Sequence, residues 1–272
     1  MLCNERRDDH KVYFYIIAHF DAKRPLHALK PVSSPVMIPL LESRDSEQPF
    51  PPVRQALDEP NGLLAIGGCL SPARLETAYR SGIFPWFNEG EPILWWSPDP
   101  RLVLRPEDVR ISRSLRKRLS RDEFRFTFDT AFDLVMNACA EPRQGASGTW
   151  ITEDMVRAYS VLHARGLAHS FEAWSGGHLV GGLYGVAIGR VFFGESMFHR
   201  MTDASKVAFV LACERLEAWG YRLVDCQVHS RHLESLGAQQ ISRDEFTRQL
   251  SRYCDEEVVP EAWVVPDGPE TA

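Results

Sequence analysis

The second half of the chain carries the clearest pattern of apolar and polar positions. Thr152, followed by Glu153 and Asp154, has the signature of a capped helix start, and Gly166 is a stop. Three extended runs follow: Ala168 to Trp174, His178 to Ile188 and Arg190 to Phe198. Gly176-Gly177 and Gly189 stand between them, which predicts an antiparallel meander. A helix is predicted from Ala204 to Trp219, closed by Gly220. A strand from Tyr221 to Val228 comes next, then helices near Arg231–Leu236 and Arg243–Tyr253.

The first half is less regular. Ser71-Pro72 is a helix start, because serine caps and proline suits the first turn. Leu75, Ala78 and Tyr79 give that helix an apolar face, and Gly82 ends it. Ile93–Trp96 and Leu102–Leu104 read as short strands around the turn Ser97-Pro98-Asp99-Pro100. Ser112 caps a further helix with Ile111, Leu115 and Leu119 on one side and Arg110, Arg113, Lys117 and Arg121 on another. Residues 1–36 have no sustained period and are expected to be an extension or an upstream start, poorly ordered. The expected division is a small N-terminal α/β domain over 37–145 and a second domain over 146–272.

Composition narrows the class. With 44% hydrophobic and 25% charged residues the chain reads as globular, not disordered or fibrous. No run approaches the roughly 18 apolar residues of a membrane span, so no membrane partner is expected. The six cysteines form no CxxC pair and the nine histidines no HExxH, so no metal is expected. Scattered cysteines point to free thiols in a reducing cytoplasm. The net charge is −6, yet Arg101–Arg125 holds nine Lys/Arg against four Asp/Glu, which leaves −11 on the remainder. A basic island on an acidic body suggests one anionic contact surface.

Helix, three antiparallel strands, helix, strand, helix is the order of a GNAT-type acyltransferase. The expected fold class is therefore α+β, with a small N-terminal domain and a GNAT-like C-terminal domain on a mainly antiparallel sheet. Acyl-CoA enzymes of that fold hold pyrophosphate on a glycine-rich turn before the helix. Here the connection is His199-Arg200-Met201-Thr202-Asp203-Ala204-Ser205-Lys206, without glycine. Another activated acyl donor is needed.

Several runs are more specific. Glu59-Pro60-Asn61-Gly62-Leu63-Leu64-Ala65-Ile66-Gly67-Gly68, Gly82-Ile83-Phe84-Pro85-Trp86-Phe87 and Ile93-Leu94-Trp95-Trp96-Ser97-Pro98-Asp99-Pro100-Arg101 lie in the first half. Gly148-Thr149-Trp150-Ile151-Thr152, Gly194-Glu195-Ser196-Met197-Phe198, Asp225-Cys226-Gln227-Val228 and Ser235-Leu236-Gly237-Ala238 follow. Together they resemble the leucyl/phenylalanyl-tRNA–protein transferase family over about residues 55–265. The resemblance implies a cytoplasmic, monomeric aminoacyltransferase of the N-end rule degradation pathway, without cofactor. It would move Leu, Phe and less readily Met from aminoacyl-tRNA to proteins with N-terminal Arg or Lys.

By the period of two, Asp225 and Gln227 share a strand face and Cys226 points away. The pair would ordinarily be read as structural hydrogen bonding. The resemblance implies a catalytic centre instead, with Gln227 holding the attacking amine through its side-chain oxygen and Asp225 polarising the relay. Glu195 would bind an ammonium group there. Trp86 and Trp150 match positions that flank the terminal adenosine, and Tyr159 lies on the helix just after. Leu183, Phe192, Met197, Leu216 and Val224 match the pocket for the aminoacyl side chain, although each equally suits a core. Arg113, Lys117 and Arg121 are expected to meet tRNA phosphates; a solvated helix face is the alternative. Where many relatives have Asn, this chain has Ser230, and no role is carried to it. An acyl-CoA-dependent N-acetyltransferase and a non-catalytic RNA-binding module remain as competing readings. Deleting residues 1–36 is expected to leave folding and transfer intact, checked by circular dichroism and a transfer assay; a large loss in either would show that the extension belongs to the body.

Overall fold

The computed structural model describes residues 37–121, 123–141 and 149–265. The 1–36 extension, Gly148 and the 145/146 division lie outside them. Eleven strands among these residues form two sheets. A four-stranded sheet contains β1 (Leu40–Leu41), β2 (Leu63–Gly67), β3 (Phe84–Pro85) and β4 (Leu94–Trp96), in the order β1-β2-β4-β3. The seven-stranded sheet contains β5 (Arg101–Leu104), β6 (Arg125–Phe128), β7 (Ala168–Ser175), β8 (His178–Ile188), β9 (Val191–His199), β10 (Leu223–Gln227) and β11 (Gln239–Ile241), in the order β11-β5-β10-β9-β8-β7-β6.

The expected division does not follow these sheets. Strands β5 and β6, assigned to the N-terminal side, pair with β10 and β7 in the large sheet. Each is four residues long, and a run that short carries no sign of a partner about 45 or 120 residues away.

The helices are α1 (Pro72–Arg80), α2 (Arg113–Leu119), α3 (Phe132–Ala140), α4 (Glu153–Ala164), α5 (Ala204–Ala218), α6 (Arg231–Ser235) and α7 (Arg243–Tyr253). The caps read from sequence are in place. Ser71, Ser112 and Thr152 accept from the backbone N–H groups of Arg74, Leu115 and Met155, each satisfying one of the orphan donors of a first turn. Gly166, beyond α4, has φ +70°, the left-handed conformation that glycine adopts without penalty.

The large sheet divides the interior. One face carries Tyr184, Val186, Ile188, Val191, Phe193 and Leu223, which pack with α1, α3, α4 and the small sheet in one continuous cluster. The other carries Leu183, Phe192 and Val224 under α5, with Phe209 and Leu216. Strand β10 runs parallel to β9 only from Leu223 to Asp225, opposite Val191 to Phe193. Beyond that register the pairing stops, and the strands part towards Glu195 and Gln227.

The segment after α7 returns across the second face. Trp263 stacks on His169 with centroids 3.8 Å apart, lies 4.7 Å from Trp219 and 5.1 Å from Phe171, and donates to the Tyr221 hydroxyl at 2.7 Å. A ring with so many partners closes the end of the core. Trp263→Ala is expected to cost about 3 kcal/mol, read as a lowered urea midpoint; an unchanged midpoint would show that the segment only rests on the surface.

Candidate active site

Arg101 stands at the centre. It is 1% exposed, and its Nε and Nη2 donate to the two carboxylate oxygens of Asp225 at 2.8 and 2.7 Å. Its Nη1 donates to the Gly82 carbonyl at 3.1 Å. The guanidinium lies 4.8 Å from the Phe84 ring and 4.5 Å from the Phe246 ring. A planar fork matches a carboxylate in this bidentate way, and aromatic faces favour a desolvated cation. The signal for Arg101 was its place after the Ser-Pro-Asp-Pro turn, but nothing local names Asp225 as its partner.

Asp225 in turn shapes Gln227. Its Oδ1 accepts from the Gln227 backbone N–H at 2.9 Å. Gln227 has φ +62°, and the register against β5 shifts between Asp225 and Gln227. Cys226 is the extra residue of this bulge. The period-of-two argument therefore reaches the right neighbourhood for a different reason: a bulge re-aims the strand end. Left-handed backbone at a non-glycine residue persists only where its surroundings hold it, and the Asp225 carboxylate does so here. Asp225 meets Gln227 through the backbone rather than through the side-chain amide, which alters the relay expected from the resemblance.

The Gln227 amide points to Glu195. Its Nε2 donates to Glu195 Oε1 at 2.8 Å, and Tyr79 donates to the same oxygen at 2.8 Å. The Tyr159 hydroxyl meets Oε2 at 3.1 Å, and the Tyr79 and Tyr159 hydroxyls also meet each other. Burial raises the Glu195 pKa to about 7, against hydrogen bonds with Tyr79, Tyr159 and Gln227 that lower it. The nearby Asp225 charge also raises it. Burial likewise pushes both tyrosine hydroxyls well above their ordinary value. Among the described residues the Gln227 side-chain oxygen receives no hydrogen bond from the protein, so it is available to a donor from outside.

The structure corrects the role of Tyr159. It is fully buried and its ring meets Tyr184 edge-on at 5.6 Å, so no base can stack on it; its hydroxyl belongs to the acid. Tyr79 does the same from α1. Sequence reasoning assigned Tyr79 to core packing, which its ring does, but its hydroxyl was missed. Trp86 and Trp150 are half-buried against the cluster that contains these tyrosines. The Trp86 carbonyl accepts from Trp96 Nε1 at 2.7 Å, with the two rings 6.0 Å apart.

The apolar set lies across the sheet from the acids. Leu183, Phe192 and Val224 are buried against Leu216 of α5, while Met197 and Cys226 are half-buried at the edge of that layer. Beyond the last paired residues, Phe193 and Asp225, Glu195 and Gln227 lie within two residues of Met197 and Cys226 at the edge of that layer. Burial pushes the Cys226 thiol well up, and Asp225 adds to this, so the thiolate is disfavoured there.

The family described as leucyl/phenylalanyl-tRNA protein transferase matches residues 103–251, and its N-terminal domain matches residues 68–99. A protein named leucyl/phenylalanyl-tRNA–protein transferase from Methylococcus capsulatus is 63% identical over 227 residues, covering 84% of this chain and 97% of that protein. One of the same name from Nitrosomonas europaea is 60% identical, covering 76% and 88%. The chain belongs to the leucyl/phenylalanyl-tRNA–protein transferase family. Among solved structures, a GCN5-related N-acetyltransferase from Kribbella flavida overlaps with a TM-score of 0.35 at 11% identity, covering 63% of this chain and 61% of that one. The family's two matched segments meet between residues 99 and 103, where the chain passes from the small sheet into β5.

Of the basic residues, Arg113 and Lys117 are exposed on α2 and have no acidic partner among the described residues. Arg121 is displaced from that face. The helix ends at Leu119, and Arg121 lies in the following turn, 3.5 Å from Glu123. Away from the acids, Asp129, His163 and His169 bring one potential ligand atom each within 4.8 Å. Those atoms are already engaged: His169 with Asp129 at 2.7 Å and the Gly166 carbonyl at 3.1 Å, His163 with the Ala168 carbonyl at 2.8 Å. A metal would have to displace these bonds.

Removing one partner of a buried pair strands the other charge. Arg101→Met is expected to cost about 3–5 kcal/mol in urea unfolding, and Arg101→Met with Asp225→Leu should recover much of that loss. A double variant as unstable as the sum of the singles would show that the pair is not a coupled unit.

Proposed function

We propose that this chain transfers Leu and Phe, and less readily Met, from aminoacyl-tRNA to the α-amine of proteins with N-terminal Arg or Lys. The observation that carries the reading is the polar centre of Gln227 and Glu195 at the parting of β9 and β10. An ester carbonyl placed there has the acids on one side and the apolar layer of Leu183, Phe192, Met197, Leu216 and Val224 on the other.

Aminolysis of an ester is downhill, so the protein's task is to hold the two reactants and manage one proton. An α-amine titrates near pH 8, so a useful fraction is neutral at pH 7. Gln227 commits its Nε2 to Glu195, which leaves its side-chain oxygen to accept from the attacking amine and aim the lone pair at the carbonyl. Asp225 fixes Gln227 in place and Arg101 fixes Asp225. Glu195 receives the cationic group of the acceptor. Trp86 and Trp150 flank the terminal adenosine, and Arg113 and Lys117 meet the phosphates of the acceptor stem. The leaving 3′ oxygen takes up the proton that the amine loses. The chain works as a cytoplasmic monomer in N-end rule degradation, without cofactor.

Label from radioactive Phe-tRNA should enter an Arg-terminal protein, whereas label from acetyl-CoA should not; the reverse would make this an acetyltransferase, and neither an RNA-binding module. Gln227→Ala should lower kcat by about 100- to 10,000-fold with KM for the donor little changed. Trp86→Ala should act mainly on donor KM, by the roughly 1–3 kcal/mol of a base stack. Arg113→Glu and Lys117→Glu should each raise KM for aminoacyl-tRNA and flatten its salt dependence, without affecting a minimal aminoacyl-adenosine donor. A KM unchanged for both donors would return these bases to a solvated surface.

A further inference from the structure

Glu195, Tyr79 and Tyr159 form a closed triangle of hydrogen bonds. Tyr79 meets Glu195 Oε1 at 2.8 Å, Tyr159 meets Oε2 at 3.1 Å, and the two hydroxyls meet each other. Each contact needs one proton, so the triangle needs three. The two phenols supply two. Gln227 brings its own proton to Oε1 and adds none to the triangle. The third can come only from a carboxyl proton on Glu195. With it the ring closes in one sense: Tyr79 donates to Oε1, Tyr159 donates to Tyr79, and Oε2–H donates to Tyr159. Without it, one of the three contacts sets two oxygens against each other in a buried site.

The surroundings agree. Tyr79 faces the carboxyl from α1, Tyr159 from α4, Tyr184 from β8, and Asp225 and Gln227 from β10. Arg101 on β5 spends its charge on Asp225. Among the described residues no Lys, Arg or His forms an ion pair with Glu195. Burial, the first cause of its raised pKa, has no cation to offset it.

We propose that the free enzyme holds Glu195 as a neutral acid, its proton shared in a ring with Tyr79 and Tyr159, and that the cationic group of an acceptor expels this proton on binding. The inference rests on the reading of Glu195 as the acceptor's cation site. The step is balanced: the Oε2–H bond breaks, the proton leaves to water, and the acceptor's N–H groups take its place against the carboxylate. A neutral group in the same position cannot compensate the ionised acid. The requirement for a basic acceptor thus lies in the protonation state of the site as well as in its shape.

Two measurements test this. The first needs no substrate. Glutamine is the isostere of the neutral acid and can satisfy the same ring. A carboxyl whose folded pKa lies above its unfolded value stabilises fully below the unfolded pKa, and loses that contribution as pH rises through the folded one. With the value raised from 4.5 to about 7, wild type and Glu195→Gln should melt together at pH 5, and Glu195→Gln should melt higher at pH 8. Parallel melting curves, or a wild type more stable at pH 8, would overturn the neutral-acid state while leaving Glu195 as the acceptor site.

The second is calorimetric titration of the wild type with an Arg-terminal peptide, without donor, at pH 6 in phosphate and in imidazole buffer. The difference in heat should report release of close to one proton per peptide, and affinity should rise with pH towards 7. Binding without proton release, in a protein that passes the melting test, would overturn the expulsion step and with it the assignment of Glu195 to the acceptor's cation.

Discussion

The buried ion pair between Arg101 and Asp225 is the constraint on which the site depends. It joins β5 to β10, reaches the Gly82 turn beyond α1, and is gripped by Phe84 and Phe246. Three separate parts of the chain thus converge on the guanidinium that β5 supplies. The pair holds Asp225 as an ordered anion, and that anion holds Gln227 in a left-handed backbone conformation it would not adopt alone. A buried pair of this kind contributes little net stability but strongly penalises the loss of either member. Its value here is positional: it sets where the Gln227 side chain points.

From that point the two chemical needs of the reaction separate across the sheet. Glu195, Gln227 and the two tyrosine hydroxyls gather on the face shared with the small sheet. The apolar layer of Phe192, Leu216 and Val224 lies on the α5 face. Where β9 and β10 stop pairing, Glu195 and Gln227 lie within two residues of Met197 and Cys226 at the edge of the apolar layer. The family's task of joining a hydrophobic aminoacyl group to a basic N-terminus fits such a boundary, because neither the apolar side chain nor the cation has to be buried in the other's surroundings.

Much of this was legible in the sequence, and the limits have physical causes. Helix ends marked by Ser71, Ser112, Thr152 and Gly166 are local, since a cap and its partners lie within four residues. The meander from Ala168 to His199 was legible through its glycine turns. The membership of β5 and β6 in the large sheet was not, because pairing over long separations leaves no local mark. The bulge at Cys226 was invisible for the same reason: it exists only relative to β5. Tyr79 reads as packing and Tyr159 as a ring beside the adenosine, because the role of a tyrosine stays open until its hydroxyl is given a partner. Arg121 lies two residues past the end of α2, so it does not share the helix face of Arg113 and Lys117.

Direct attack by the amine, without a covalent enzyme intermediate, is the central chemical claim. Cys226 is the one nucleophile beside Gln227, its thiol is held protonated by burial, and no base contacts it among the described residues. The most direct measurement is to mix the protein with radiolabelled Phe-tRNA without acceptor, quench it in acid and count label on the denatured protein. None is expected, with the ester on tRNA intact apart from its slow hydrolysis. Label on the wild type that is absent from Cys226→Ala would reveal a thioester and contradict direct attack.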